Sequence, residues 1–249
     1  MQWWQLAIFA VAGFVMAVLS GMSGGGAGFI MTPLGILLGL TPAQAVSSGK
    51  LNGLAVTLGA LGSLRSKQPV RKRLVATIVG LALAIGLVTP HVIRSLDSDA
   101  YRLIIGVLIL LMIPVLIVKK VGHTTRRPTT AQKGLGGVLL VVSLFLQGAF
   151  SSGMGTLVNL VLMGLLGQSA NEANITKRYS QLVLNVTIVL GVLGSGLIVW
   201  PVVIAGLFGN VTGGYLGGHI ATRKGDKFTA DVLLVLTGMA AVFLIATAL

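Results

Sequence analysis

Apolar residues run along this chain in blocks, separated by short polar stretches. The blocks fall roughly at residues 4–20, 28–40, 51–64, 74–89 and 103–118, then 135–150, 156–166, 182–199, 202–220 and 232–249. The sustained alternation of a barrel strand is absent. Apolar runs repeated over the whole length predict membrane helices. The expected fold class is an all-α polytopic membrane protein. The first block follows "MQWWQ", which lacks a basic n-region. It reads as a first span rather than a signal peptide, with Trp3 and Trp4 as an interfacial anchor.

The blocks are uneven. The second has about a dozen residues and the seventh about eleven, or roughly 18 Å of helix against a hydrocarbon core of about 30 Å. Each follows a glycine-rich break, "SGGGAG" before one and "SSGMG" before the other. Short broken or re-entrant helices are therefore expected at these two places.

The two breaks align. With Gly25 placed on Gly153, Ser23 meets Ser151, Gly39 meets Gly167, Ala45 meets Ala173, Ser48 meets Thr176 and Lys50 meets Arg178, with no gap. Break, short helix, polar turn and cation recur in order. This predicts two repeats of about five segments, residues 1–118 and 135–249, joined by a basic cytoplasmic linker at 119–134. An odd number of segments turns the second repeat upside down. Charge supports that topology. With the loop at 65–73 inside, fifteen of the eighteen Lys and Arg fall on one side, at 65–73, 119–133, Lys177 and Arg178, and 223–227. Only Lys50, Arg94 and Arg102 lie opposite, and both termini are expected outside.

Composition narrows the function. The chain has 249 residues, 55% hydrophobic and 9% charged, with a mean hydropathy of +0.96. A soluble surface needs more charge than that. The net charge of +13 sits between apolar runs, so it indicates anionic lipid contact rather than nucleic acid. There are no cysteines, and the three histidines are scattered. No metal and no cofactor are expected. The five acids lie in loops or at segment ends, which disfavours a carboxylate-lined cation path or a buried proton relay. Glu172 is expected to cap a helix or to pair with Lys177 or Arg178. No Ser-His-Asp set, HExxH or P-loop is present, so no enzyme activity and no ATP-driven transport are expected.

A helix broken at membrane depth exposes backbone N–H groups, which is tolerated only where they line a cavity or meet a ligand. A short helix starting at such a break points its positive dipole end at that place. The expected substrate-binding residues are Gly24, Gly25, Gly26, Gly153 and Gly155 at the breaks, with Ser47, Ser48, Lys50, Asn52, Thr156, Thr176 and Arg178 around them. Each of these residue types also has a purely structural role in a membrane helix. Glycine lets helices pack closely, and that accounts for "GNVTGGYLGG" at 209–218. Lys50 can equally snorkel to the interface. Topology alone accounts for Lys177 and Arg178, and helix-to-helix hydrogen bonds account for single hydroxyls and amides.

The glycine break, Pro33, "GLTPAQAVSS" (Gly39 through Ser48), the basic loop and the weaker second copy resemble the TauE/SafE sulfite exporter family. Two departures stand out: the second copy reads Ser151-Ser152-Gly153-Met154-Gly155 in place of a glycine triplet, and the Thr-Ser pair is Ser47-Ser48 in one copy and Ile175-Thr176 in the other. The resemblance implies secondary transport of sulfite, a sulfonate or a related sulfur-containing organic anion by alternating access. An anion channel and a membrane assembly or chaperone protein remain the alternatives. The expected location is the inner (plasma) membrane. The expected partners are the small anionic substrate, anionic lipids, a coupling proton or ion, and further copies of the chain in a homo-oligomer.

Overall fold

The computed structural model describes residues 2–64, 71–95, 128–150 and 152–248. They form α1 (Trp3–Ser23), α2 (Ala27–Leu37), α3 (Pro42–Leu64), α4 (Lys72–Arg94), α5 (Thr130–Ala149), a 3-10 turn (Ser152–Met154), α6 (Gly155–Gly164), α7 (Ala170–Val192), α8 (Trp200–Lys224) and α9 (Asp226–Ala248). No strand occurs among the described residues. The expected span at 103–118 lies outside them, as does the linker before residue 128.

Among the described residues, three helices, Trp3–Ser23, Lys72–Arg94 and Thr130–Ala149, are long and apolar enough to cross a membrane. The short helices after the two breaks are as expected, with 11 residues in α2 and 10 in α6. Two boundaries differ from expectation. The third helix starts at Pro42 rather than 51, and the eighth segment is α7, Ala170–Val192, rather than 182–199. The polar stretches expected as turns are helical. Where water is scarce, backbone groups must bond within the segment, and a helix achieves this whatever its side chains. Both helices also have start signals. Thr41 and Gln44 cap α3 reciprocally through side chain and backbone, and Ser169 and Glu172 do the same for α7. A third such box, Thr129 and Gln132, starts α5, so Lys133 and Gly134 belong to that helix and not to a linker.

The starts of α2, α3 and α4 precede those of α6, α7 and α8 by 128 positions each. Packing follows the same correspondence. α3 packs on α8 as α4 packs on α7, and α1 packs on α8 as α4 packs on α5. The α8 seam explains the glycines at 209–218. A Cβ on Gly217 would overlap the Val18 carbonyl oxygen, and one on Gly214 would overlap that of Val56. Backbone therefore meets backbone on both sides of α8. Apolar side chains such as Val11, Leu87, Leu190 and Phe208 face outward. Phe29, Val46, Phe150, Met154, Leu184 and Ile188 form the core cluster around the two breaks.

Candidate functional site

The last carbonyls of a helix have no partner within it. At the end of α1 they are buried, so the rest of the fold must satisfy them. Gly21, Met22, Ser23 and Gly24 each present such an oxygen, Ser20 O already takes the Gly24 N–H, and side chains from the other half of the chain reach all five. Asn159 on α6 donates to Ser23 O at 3.0 Å. Asn174 on α7 donates to Gly21 O and Met22 O, each at 3.2 Å. The Lys177 ammonium donates to Gly24 O and the Arg178 guanidinium to Ser20 O. A cation at a helix C-terminus is also favoured by the helix dipole.

The chain leaves α1 through Gly24 (φ 78) and Gly26 (φ 89). A side chain at Gly24 would lie 2.6 Å from the amides of both Asn159 and Asn174. Left-handed backbone and this crowding together require glycine.

The reciprocal arrangement is leaner. Lys50, on α3, donates to Gln147 O near the end of α5. Each half thus places a cation on a broken helix of the other. Lys50, Lys177 and Arg178 have no exposed surface. Among the described residues no carboxylate touches them. Glu172 instead lies 3.7 Å from Arg71, and Asp226 accepts from the Asn171 backbone N–H.

These positions bear on three expectations. Lys177 and Arg178 are not loop charges, because they sit inside a helix and are fully buried. They therefore drop out of the charge asymmetry that indicated topology. Lys50 is fully buried in the protein and does not snorkel to solvent. Glu172 caps α7 as expected, but its ion-pair partner is Arg71 rather than Lys177 or Arg178.

The remaining expected site residues are dispersed. Gly25 and Thr156 abut, since a Cβ at Gly25 would lie 2.9 Å from both the Thr156 backbone nitrogen and its hydroxyl. Gly153 abuts the Phe29 backbone nitrogen in the same way, and Gly155 faces the tip of Lys177. The starts of the two short helices thus touch one another. Ser48 accepts from the Val199 N–H at 3.0 Å, and Thr176 accepts from the Gln168 amide at 3.0 Å. Both hydroxyls are engaged in holding neighbouring turns. Ser47 and Thr156 are buried with unpartnered hydroxyls. Asn52 accepts from Asn210 at 2.9 Å, while its own Nδ2 is unpartnered.

The family model described as Sulfite exporter TauE/SafE matches residues 9–244. The chain belongs to the TauE/SafE sulfite exporter family. It is also similar to a "Probable membrane transporter protein" of Haemophilus influenzae, at 28% identity over 247 residues. That alignment covers 94% of this chain and 92% of that protein. No solved structure matches.

In this TauE/SafE protein, sequence reasoning passes over Asn174, Lys177, Gln147, Gln181 and Asn210 as site residues. A signal for α7 is present. Asn171, Asn174, Arg178, Gln181 and Asn185 recur at spacings of three, four, three and four, which is one face of a helix. All five are buried. A polar face turned inward in an apolar protein is expensive unless it is partnered or used.

Proposed function

We propose that this TauE/SafE protein is a secondary transporter of a small anion: sulfite, a sulfonate or a related sulfur-containing organic anion. The observation that carries the reading is the set of three fully buried basic side chains with no carboxylate partner among the described residues. Each donates to a backbone carbonyl oxygen, which brings no net negative charge, and Arg178 Nη1 has no partner. Buried positive charge without a counter-ion is costly in a low-dielectric interior, and an arriving anion supplies the missing charge.

The proposed mechanism is alternating access between two inverted repeats, residues 1–118 and 135–249. The cross-half cation contacts belong to one closed state. An anion competes with Gly24 O and Gln147 O for the ammonium groups, which loosens the hold of each half on the other's broken helix. Membrane orientation follows from the remaining basic stretches, with residues 223–227 in the cytoplasm and both termini outside an inner membrane. Lys224→Cys tests that orientation. An impermeant maleimide should label it only after the cells are opened, and labelling of intact cells would reverse it.

Counterflow of labelled sulfite in reconstituted liposomes tests the transport reading. Saturable exchange that disappears in the Lys177→Met, Arg178→Met double variant is expected. Unsaturable ionic conductance would make the protein a channel. Absence of any anion-induced thermal shift, together with a stable co-purifying partner, would favour an assembly role.

A further inference from the structure

A cavity of about 60 Å³ lies beside the α1 break, against α1, α2, α3 and α8, and Gln181 of α7 closes one side. None of the three buried cations lines it. It reaches Ser20, however, whose carbonyl and hydroxyl take the Arg178 guanidinium, the hydroxyl at 3.4 Å. Apolar side chains, Phe9, Met31, Val46 and Val56, also line it.

Two of the polar side chains lining the cavity are unsatisfied. Asn52 Nδ2 and Gln181 Oε1 are buried, at 7% and 3% exposure, and neither has a partner. Stranding a buried amide atom is costly unless a ligand satisfies it. Asn52 is held in place by Asn210, which donates to its Oδ1. One free donor and one free acceptor thus sit on a cavity that apolar side chains also line. Arg178 Nη1 is likewise buried and unpartnered, just behind Ser20.

We infer that this cavity is a specificity subsite for the uncharged part of the transported anion, with Asn52 and Gln181 as its specificity-determining residues. The inference rests on the transport reading above and divides the labour of the site. The cations take the charge. The cavity takes a short aliphatic stem against Phe9, Met31 and Val56, and a group on that stem that both donates and accepts a hydrogen bond, as a hydroxyl does. An all-oxygen anion would leave the apolar lining unused. The amide pair would discriminate strongly, because a site built to bond a hydroxyl is left with unpaired polar atoms when the ligand lacks one.

The test is calorimetric binding to the purified full chain in detergent, with three probes: sulfite, ethanesulfonate and 2-hydroxyethanesulfonate. The hydroxylated sulfonate should bind tightest and sulfite weakest. Asn52→Leu and Gln181→Leu should each weaken the hydroxylated probe about tenfold, the size of one lost hydrogen bond in a dry site. Binding of ethanesulfonate and sulfite should be unchanged, which also reports that each variant is folded. Sulfite binding as tightly as the two sulfonates would overturn the subsite and leave the transport reading standing. So would variants that bind all three probes as the parent does. Failure of all three probes on the parent protein would instead remove the transport reading on which the subsite rests.

Discussion

At the end of α1 the chain turns through two left-handed glycines, and four side chains from the other half cover its carbonyls. At the equivalent place after α5 the chain passes through a 3-10 turn, with no left-handed residue among those described, and Lys50 donates to the Gln147 carbonyl. The register is shared, but the construction is not. Two cations and two amides gather on the first break, and the cavity with its unpaired amides opens beside it. At the second break Gly153 packs against Phe29, and the buried Gln147 amide and Thr156 hydroxyl lie beside it without partners of their own.

The sharpest way to break this comparison is at the glycines. Gly24→Val should abolish folded, monodisperse protein or lower the thermal midpoint by many degrees. It forces a β-branched residue into left-handed backbone and onto two amides. Gly155→Ala meets only the flexible end of Lys177 and the Gln147 amide. It should spare most of the stability yet weaken anion binding, because the ammonium must move. Equal stability loss in the two variants, measured by thermal unfolding, would erase the distinction between the breaks.

Removing the cations sharpens it next. Lys177→Met should weaken anion binding by roughly ten- to a hundredfold, the range for losing a charged hydrogen bond. Lys50→Met should cost less, since one cation serves that side. The exposed Lys72→Met should change nothing measurable. Binding isotherms of the three variants check the order, and an effect of Lys50 larger than that of Lys177 would reverse the assignment of the functional side.

Smaller still is the amide cover. Asn159→Leu leaves the buried Ser23 carbonyl without its donor and should destabilise the protein by about 1–3 kcal/mol. The least effect belongs to Glu172→Gln. That change keeps the reciprocal cap on α7 and removes only the charge facing Arg71, an ion pair 3.7 Å long whose Arg side chain is 40% exposed. It should cost well under 1 kcal/mol. Chemical unfolding of both variants in one detergent would rank them.

Much of the architecture is legible in the chain. The apolar blocks, the two short helices and the 128-residue register follow from hydropathy and self-comparison, because lipid imposes length and apolarity on whatever crosses it. The early starts of α3 and α7 are legible too, through Thr41-x-x-Gln44 and Ser169-x-x-Glu172, but the polarity of the residues that follow hides them. The inward stripe from Asn171 to Asn185 is visible as spacing once that stretch is taken as helix.

What the sequence alone determined is that this is a helical membrane protein with two glycine-broken stretches in matching register and a large excess of positive charge. It could not say which cations are buried. Lys177 and Arg178 carry the same charge in a loop or in a core, and hydropathy treats them alike. Only the tertiary structure decided that they cap the carbonyls of α1, that Ser48 and Thr176 are engaged elsewhere, and that Asn52 and Gln181 share a cavity. The physical reason is range. Helix formation depends on bonds between near neighbours along the chain, whereas the partner of a buried charge is chosen by packing between residues far apart in sequence.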